Sequence, residues 1–321
     1  MQWEEMLISA VSSFAITIIL MPFIIGYFRT KQLGQTTREE GPTWHEVKTG
    51  TPTMGGVVFL ISASATIIWT AIWQNAFTVS LGLLVFILML YGLLGFLDDY
   101  IKLIKKRNLG LTSAQKFIGQ VVGGALFYIV YRMQGLPSEL NLFGLADVSL
   151  GWFYGLVIIF WLVGFSNAVN LTDGLDGLAT GTSIIAYSAY AIIAFHQEQI
   201  DVLIFCLAVI GGLIGFLGFN KKPARIFMGD VGSLALGGGL AAVSVLLHQE
   251  WTLLLIGLIF IVETLSVILQ VGSVKLRNKR VFKMAPIHHH FEMSGWSEWR
   301  IVITFWTIGL LMALIALWIV L

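Results

Sequence analysis

The sequence predicts an all-α polytopic membrane protein. It has ten transmembrane helices, both termini outside, and an active site on the cytoplasmic face. Three observations carry this reading. First, apolar residues make up 57% of the 321 residues and charged ones only 12%. A soluble fold of that size could not hide so much apolar surface. Second, ten runs approach the roughly 20 apolar residues that a helix needs to cross a bilayer. Third, the basic residues fall almost entirely in alternate loops, which orients the set.

In chain order the runs are 5–28, 53–73, 78–97, 114–133, 151–169, 178–196, 202–219, 232–248, 251–273 and 301–321. The sequence opens Met-Gln-Trp-Glu-Glu, without the basic residues of a signal peptide, so the first run reads as an uncleaved span. The third ends abruptly at Asp98 and Asp99. The seventh holds the lone cysteine, Cys206, which has no disulfide partner and reads as packing. The eighth begins just past Asp230. The ninth contains Glu263, a costly residue inside a membrane that needs a partner or a polar crevice. No linker, low-complexity tract or internal repeat divides residues 1–321, which read as a single domain.

Of the 19 basic residues, 18 fall on one side. They are Arg29, Lys31, Arg38 and Lys48, then Lys102, Lys105, Lys106, Arg107 and Lys116. Lys221, Lys222, Arg225, Lys275, Arg277, Lys279, Arg280, Lys283 and Arg300 complete the set, and Arg132 stands alone opposite. The positive-inside rule therefore puts loops 29–52, 98–113, 170–177, 220–231 and 274–300 in the cytoplasm. The net charge of +1 gives no argument for nucleic acid as a partner.

Each of those five loops contributes polar residues of unusual type. In "GFLDDYIK" the carboxylates of Asp98 and Asp99 lie four and three residues before Lys102, within its reach on a continuing helix. Adjacent carboxylates repel, so Lys102 or a metal must stand between them. A helix C-terminus is also a poor place for negative charge. A sequence that accepts this cost uses the carboxylates, although a solvated helix end with an ion pair is the plainer alternative. "NAVNLTDGLDGLA" spaces Asn170, Asp173 and Asp176 every three residues, with glycines that allow close backbone approach. "FMGDVGS" sets Asp230 at a helix start, either as a cap or in hard-cation range of a phosphate that the helix N-terminus also attracts. "APIHHHFE" supplies His288, His289 and His290 without zinc spacing, as donors suited to phosphate oxygens or as a solvated loop. Lys48, in "KTGTPTMGG", fits the same task as a point charge. Together these residues describe a site for Mg²⁺ and phosphate groups at a membrane surface, where a water-soluble nucleotide meets a lipid phosphate. A transporter would rather place its charges along a midplane path.

Those five motifs, in chain order from "KTGTPTMGG" to "APIHHHFE", resemble the polyprenyl-phosphate N-acetylhexosamine-1-phosphate transferases. "PTMGG" and "APIHHHFE" favour the muramoyl-pentapeptide branch over the GlcNAc-1-phosphate branch. The resemblance implies that undecaprenyl phosphate attacks the sugar-bearing phosphate of UDP-N-acetylmuramoyl-pentapeptide. Lipid I and UMP result, with Mg²⁺ as cofactor, in the bacterial plasma membrane. It implies ten helices, a homodimer, and inhibition by uridine-mimicking nucleoside antibiotics. Carried over by motif, Asp230 would be the Mg²⁺ ligand, and Asp98, with Asp99 beside it, would take a proton from the lipid phosphate. Lys48, Thr53, Asn170, Asp173, Asp176, Asn220, Phe227 and Gln270 would shape the nucleoside and sugar pocket, with Phe227 stacking on uracil. His288, His289 and His290 would contact the diphosphate or nearby polar groups, and Lys102 and Lys116 would balance charge. Direct attack by the lipid phosphate and a covalent aspartyl route remain two alternatives.

Overall fold

A computed structural model of the chain describes residues 3–31, 34, 48–105, 110–142 and 146–321. The basic residues Arg38, Lys106 and Arg107 lie outside the described residues. Among the described residues the fold is helical apart from an antiparallel hairpin, β1 (Glu139–Leu142) and β2 (Ala146–Ser149), and an isolated bridge between Gly34 and Pro52. The helices are α1 (Trp3–Thr30), α2 (Gly56–Trp73), α3 (Val79–Ile104), α4 (Ser113–Met133), α5 (Tyr154–Thr172) and α6 (Leu178–His196). They continue with α7 (Ile200–Asn220), α8 (Asp230–Leu246), α9 (Thr252–Ile256), α10 (Leu258–Arg277), α11 (Ile287–Glu292) and α12 (Glu298–Val320).

Among the described residues, eight helices are long and apolar enough to cross a membrane, against the ten expected. Of the expected ten, α4 and α8 fall outside that group. Helix α4 carries Gln115, Lys116 and Gln120 in its first half, and α8 has only 17 residues. Helix α8 is the core of the molecule: every residue from Val231 to Leu246 is buried. It packs against α3 and α5, and its glycines allow the close fit, since a Cβ at Gly238 would strike the Tyr91 ring. A helix wrapped in protein need not meet lipid along its length, so its apolar run can be short.

Two local differences from the expected runs matter. Helix α3 does not stop at Leu97 but carries Asp98, Asp99 and Lys102 onward to Ile104. The ninth run is not one helix, because it breaks at Gly257 into α9 and α10. There a Cβ would meet the Leu253 carbonyl and the Phe165 ring. Capping fixes the start of α3, at the end away from Asp98 and Asp99, and the start of α4, next to Lys116. Thr78 accepts from the Leu81 N–H at 3.1 Å, and Thr112 and Gln115 form a reciprocal capping box at the start of α4.

Candidate active site

The end of α3 meets the start of α8 through two glycines. Gly95 lies against the backbone of Asp230, where a Cβ would collide with the carbonyl. Gly229 has φ +77°, and a side chain there would run into Asp99 Oδ2. The Val231 N–H, in the first turn of α8, donates to Asp99 Oδ2 at 3.2 Å. The result is a cluster in which one oxygen from each of Asp98, Asp99 and Asp230 lies within 4.8 Å of the others. Asp98 is fully buried and Asp99 nearly so.

Two lysines enter this cluster. Lys102 Nζ stands 2.5 Å from Asp98 Oδ2, 3.5 Å from Asp99 Oδ1 and 3.3 Å from Asp230 Oδ2. Lys116 Nζ, from α4, stands 3.3 Å from Asp98 Oδ1 and 3.1 Å from Asp230 Oδ2. The Leu111 N–H donates to Asp98 Oδ1 at 2.7 Å. Asn170 Nδ2 donates to Asp230 Oδ1 at 2.9 Å and to Ser233 Oγ at 2.8 Å. With all five groups ionised, three carboxylates face two ammonium groups and leave one negative charge. Hard oxygen donors in surplus suit a divalent cation. These three carboxylates could therefore hold a metal ion.

A second ionic cluster joins the loops. Lys48 Nζ is 2.7 Å from Asp176 Oδ1 and 2.7 Å from Glu298 Oε1. Glu298 Oε1 also accepts the Asp176 N–H at 2.8 Å, and its Oε2 lies 2.9 Å from Lys222 Nζ. Asp176 Oδ2 accepts the Ala224 N–H at 3.0 Å. Asp173 feels both clusters. Burial, then the charges of Asp230, Asp99 and Asp176, push its carboxyl up to about 8 against the pull of Lys48.

The remaining expected residues sit in the frame around these clusters. The Phe227 N–H donates to the Pro52 carbonyl at 2.8 Å, and the Gly55 and Gly56 N–H groups donate to the Phe227 and Met228 carbonyls, each at 2.9 Å. This lacing fixes Thr53, which is buried, beside the half-buried Phe227. Asn220 accepts from Thr180 Oγ1 at 2.7 Å and donates to the Ile226 carbonyl at 3.1 Å, which pins the loop between them. Gln270 Oε1 accepts the Val281 and Phe282 N–H groups at 3.0 and 2.9 Å and so holds the turn after α10. His288 is buried, with Nδ1 3.1 Å from Glu263 Oε2, and its ring abuts Gly174. His289 Nδ1 lies 2.7 Å from Glu292 Oε2, and His290 Nδ1 accepts the Lys283 N–H at 3.1 Å.

The structure thus gathers Asp98, Asp99, Asp230, Lys102, Lys116 and Asn170 at one pole and Lys48 with Asp176 at the other. Sequence reasoning missed Glu298, Lys222 and Ser233. In the sequence, Glu298 looks like any acid in a helix's first turn, and nothing in the pattern marks it. Glu263 did carry a signal, a carboxylate within an apolar span, and its partner proves to be His288.

A multi-pass helical membrane protein with a buried cluster of carboxylates and lysines has the makings of an enzyme for charged substrates at a bilayer. The comparisons with known proteins make that class specific. Residues 80–248 match the model of glycosyl transferase family 4, and residues 48–60 match signature 1 of the phospho-N-acetylmuramoyl-pentapeptide-transferases. The chain is 63% identical over 319 residues to the phospho-N-acetylmuramoyl-pentapeptide-transferase of Enterococcus faecalis, covering 99% of each chain. It is 61% identical to that of Enterococcus hirae over 99% of each, and 57% identical to that of Listeria monocytogenes over 96% of each. The chain belongs to the phospho-N-acetylmuramoyl-pentapeptide-transferase family.

Proposed function

We propose that this chain transfers phospho-N-acetylmuramoyl-pentapeptide from UDP-N-acetylmuramoyl-pentapeptide to undecaprenyl phosphate, giving lipid I and UMP for peptidoglycan synthesis. The observation that carries the reading is the buried cluster of Asp98, Asp99 and Asp230, with oxygens within 4.8 Å, in a chain of this family. Mg²⁺ is the proposed cofactor, held by Asp230 with help from Asp99. When bound, it would neutralise phosphate charge as the leaving UMP departs.

The chain's own groups suit the rest of the reaction. Lys102 and Lys116 each have N–H donors aimed into the cluster and would receive phosphate oxygens. Asn170 holds the Asp230 carboxylate at a fixed bearing. Asp98 would take the proton of any singly ionised lipid phosphate. Direct attack by that phosphate is favoured over an aspartyl-phosphate route for two reasons. A phosphate monoester loses its second proton at about pH 6, so its oxygen is already a competent nucleophile near neutrality. Asp98 is fully buried and held between Lys102, Lys116 and the Leu111 N–H, a setting in which a proton can be passed to it but a phosphorus atom would have to displace those partners.

The pole around Lys48, Asp173 and Asp176, with Thr53, Asn220, Phe227 and Gln270, is read as the nucleoside and sugar side, where uridine-mimicking antibiotics would also bind. His288, His289 and His290 are read as lying near the diphosphate. Helices α4 and α8 are read as the two further spans, with both termini outside, the site cytoplasmic, and the enzyme a homodimer in the bacterial plasma membrane.

The test is a reconstituted reaction in mild detergent, following UMP release and lipid-linked product. Mg²⁺-dependent product from UDP-N-acetylmuramoyl-pentapeptide but not from UDP-GlcNAc is the expected result. Product from UDP-GlcNAc instead would move the chain to the sister branch. A burst of UMP, stoichiometric with enzyme and without lipid acceptor, would contradict direct attack.

A further inference from the structure

Glu298 has an ordinary job available to it. It stands in the first turn of α12, behind the Ser297 cap, where a carboxylate complements the helix dipole. Its contacts go well beyond that. The side chain is 5% exposed and reaches three separate loops. One oxygen receives Lys48 Nζ at 2.7 Å and the Asp176 N–H at 2.8 Å, and the other faces Lys222 Nζ at 2.9 Å. Asp176 in turn accepts the Ala224 N–H.

Consider what this does to Lys48. Its ammonium has three N–H donors, and Asp176 and Glu298 take two of them. The third is then left on a fixed bearing. Lys48 sits on a turn closed by the Thr51 N–H to the Lys48 carbonyl at 3.1 Å, so the backbone alone does not aim so long a side chain. Ordering a free lysine costs side-chain entropy, and a lysine ordered beforehand spares the ligand that cost.

We infer that Glu298 is a positioning residue for donor binding: it holds Lys48 in register with Asp176 and the Lys222–Ala224 loop, and it does not touch substrate. The inference rests on the reading of Lys48 as a donor-binding residue. Glu298→Gln is the informative change. Its amide oxygen can still accept the Asp176 N–H, so the loops stay tied, while the ionic hold on Lys48 and Lys222 is lost.

The experiment measures kcat, the KM for UDP-N-acetylmuramoyl-pentapeptide, the KM for undecaprenyl phosphate and the melting temperature. It covers wild type, Glu298→Gln, Glu298→Asp, Lys48→Met and the Glu298→Gln/Lys48→Met pair. Glu298→Gln is expected to raise the donor KM about tenfold. It should leave kcat and the lipid KM within about twofold, and add nothing on the Lys48→Met background. Glu298→Asp keeps the charge and should recover part of the donor KM. It also carries the test if the amide variant does not survive purification. A wild-type donor KM in Glu298→Gln, with Lys48→Met impaired, overturns this inference alone. So does a fall in kcat and melting temperature at unchanged KM, or a fully additive double variant. A wild-type donor KM in Lys48→Met overturns the Lys48 reading and this inference with it.

Discussion

Two ionic clusters of the same residue types stand in one protein, and they differ in balance. Around Asp230, three aspartates meet two lysines, and one negative charge is left over. Around Glu298, two carboxylates meet two lysines, and nothing is left over. The first cluster has oxygens to offer a cation and ammonium groups to offer phosphates. The second is balanced in charge and, among the described residues, leaves one Lys48 donor beyond Asp176 and Glu298. The difference underlies the proposed division of labour: the surplus cluster would take the cation with the reacting phosphates, and the balanced one would hold loops around the donor. A buried ion pair adds little net stability, while removing one partner costs about 3–5 kcal/mol, so each cluster responds sharply to a single change.

The largest effect is expected for Asp230→Asn, which cancels the surplus. We expect kcat to fall at least about 10²–10³-fold, with the Mg²⁺ response lost in the same assay. Normal activity and metal response in that variant would erase the distinction. Gly95→Ala strikes the same cluster through the backbone, because its Cβ lands on the Asp230 carbonyl. It should lower stability by about 1–3 kcal/mol in a thermal melt and reduce activity as well. Lys48→Met acts on the balanced cluster, with a donor KM raised about tenfold and kcat kept within about twofold. A kcat loss like that of Asp230→Asn would merge the two poles into one.

The last comparison turns on Asp173, whose carboxyl feels both poles. Its carboxyl is pushed up to about 8 by burial and by neighbouring carboxylates. The folded protein therefore holds that proton more tightly than the unfolded chain, where an aspartate titrates near its usual value of about 4. Its contribution to stability is present below about pH 4 and is lost as pH rises through about 8. Melting in EDTA between pH 5 and 9 should show a shallower alkaline decline for Asp173→Asn than for wild type. Equal slopes would place the titration elsewhere.

Much of the acidic cluster was legible in the sequence, because i,i+4 and i,i+3 spacing needs only a continuing helix. Lys102 reaches Asp98 and Asp99 as that spacing predicts. Asp230 likewise declared itself at a helix start between glycines. The hidden parts depend on distant chain segments. Glu298 meets Lys48 across 250 residues, and no local period encodes that meeting. Gly257 breaks the ninth run inside an unbroken apolar stretch, where hydropathy carries no mark of a kink. Helix α8 is short because protein covers it on all sides, and α4 is polar because it brings Lys116 to the site. An apolar-run count sees neither reason.

On this reading the surplus cluster, and not the balanced one, takes the divalent cation. Mn²⁺ binding followed by electron paramagnetic resonance, with Mn²⁺ standing in for Mg²⁺, tests it most directly on purified wild type, Asp230→Asn and Glu298→Gln. One bound Mn²⁺ per chain is expected in wild type and Glu298→Gln and none in Asp230→Asn. Binding retained in Asp230→Asn, or lost in Glu298→Gln, would contradict this reading.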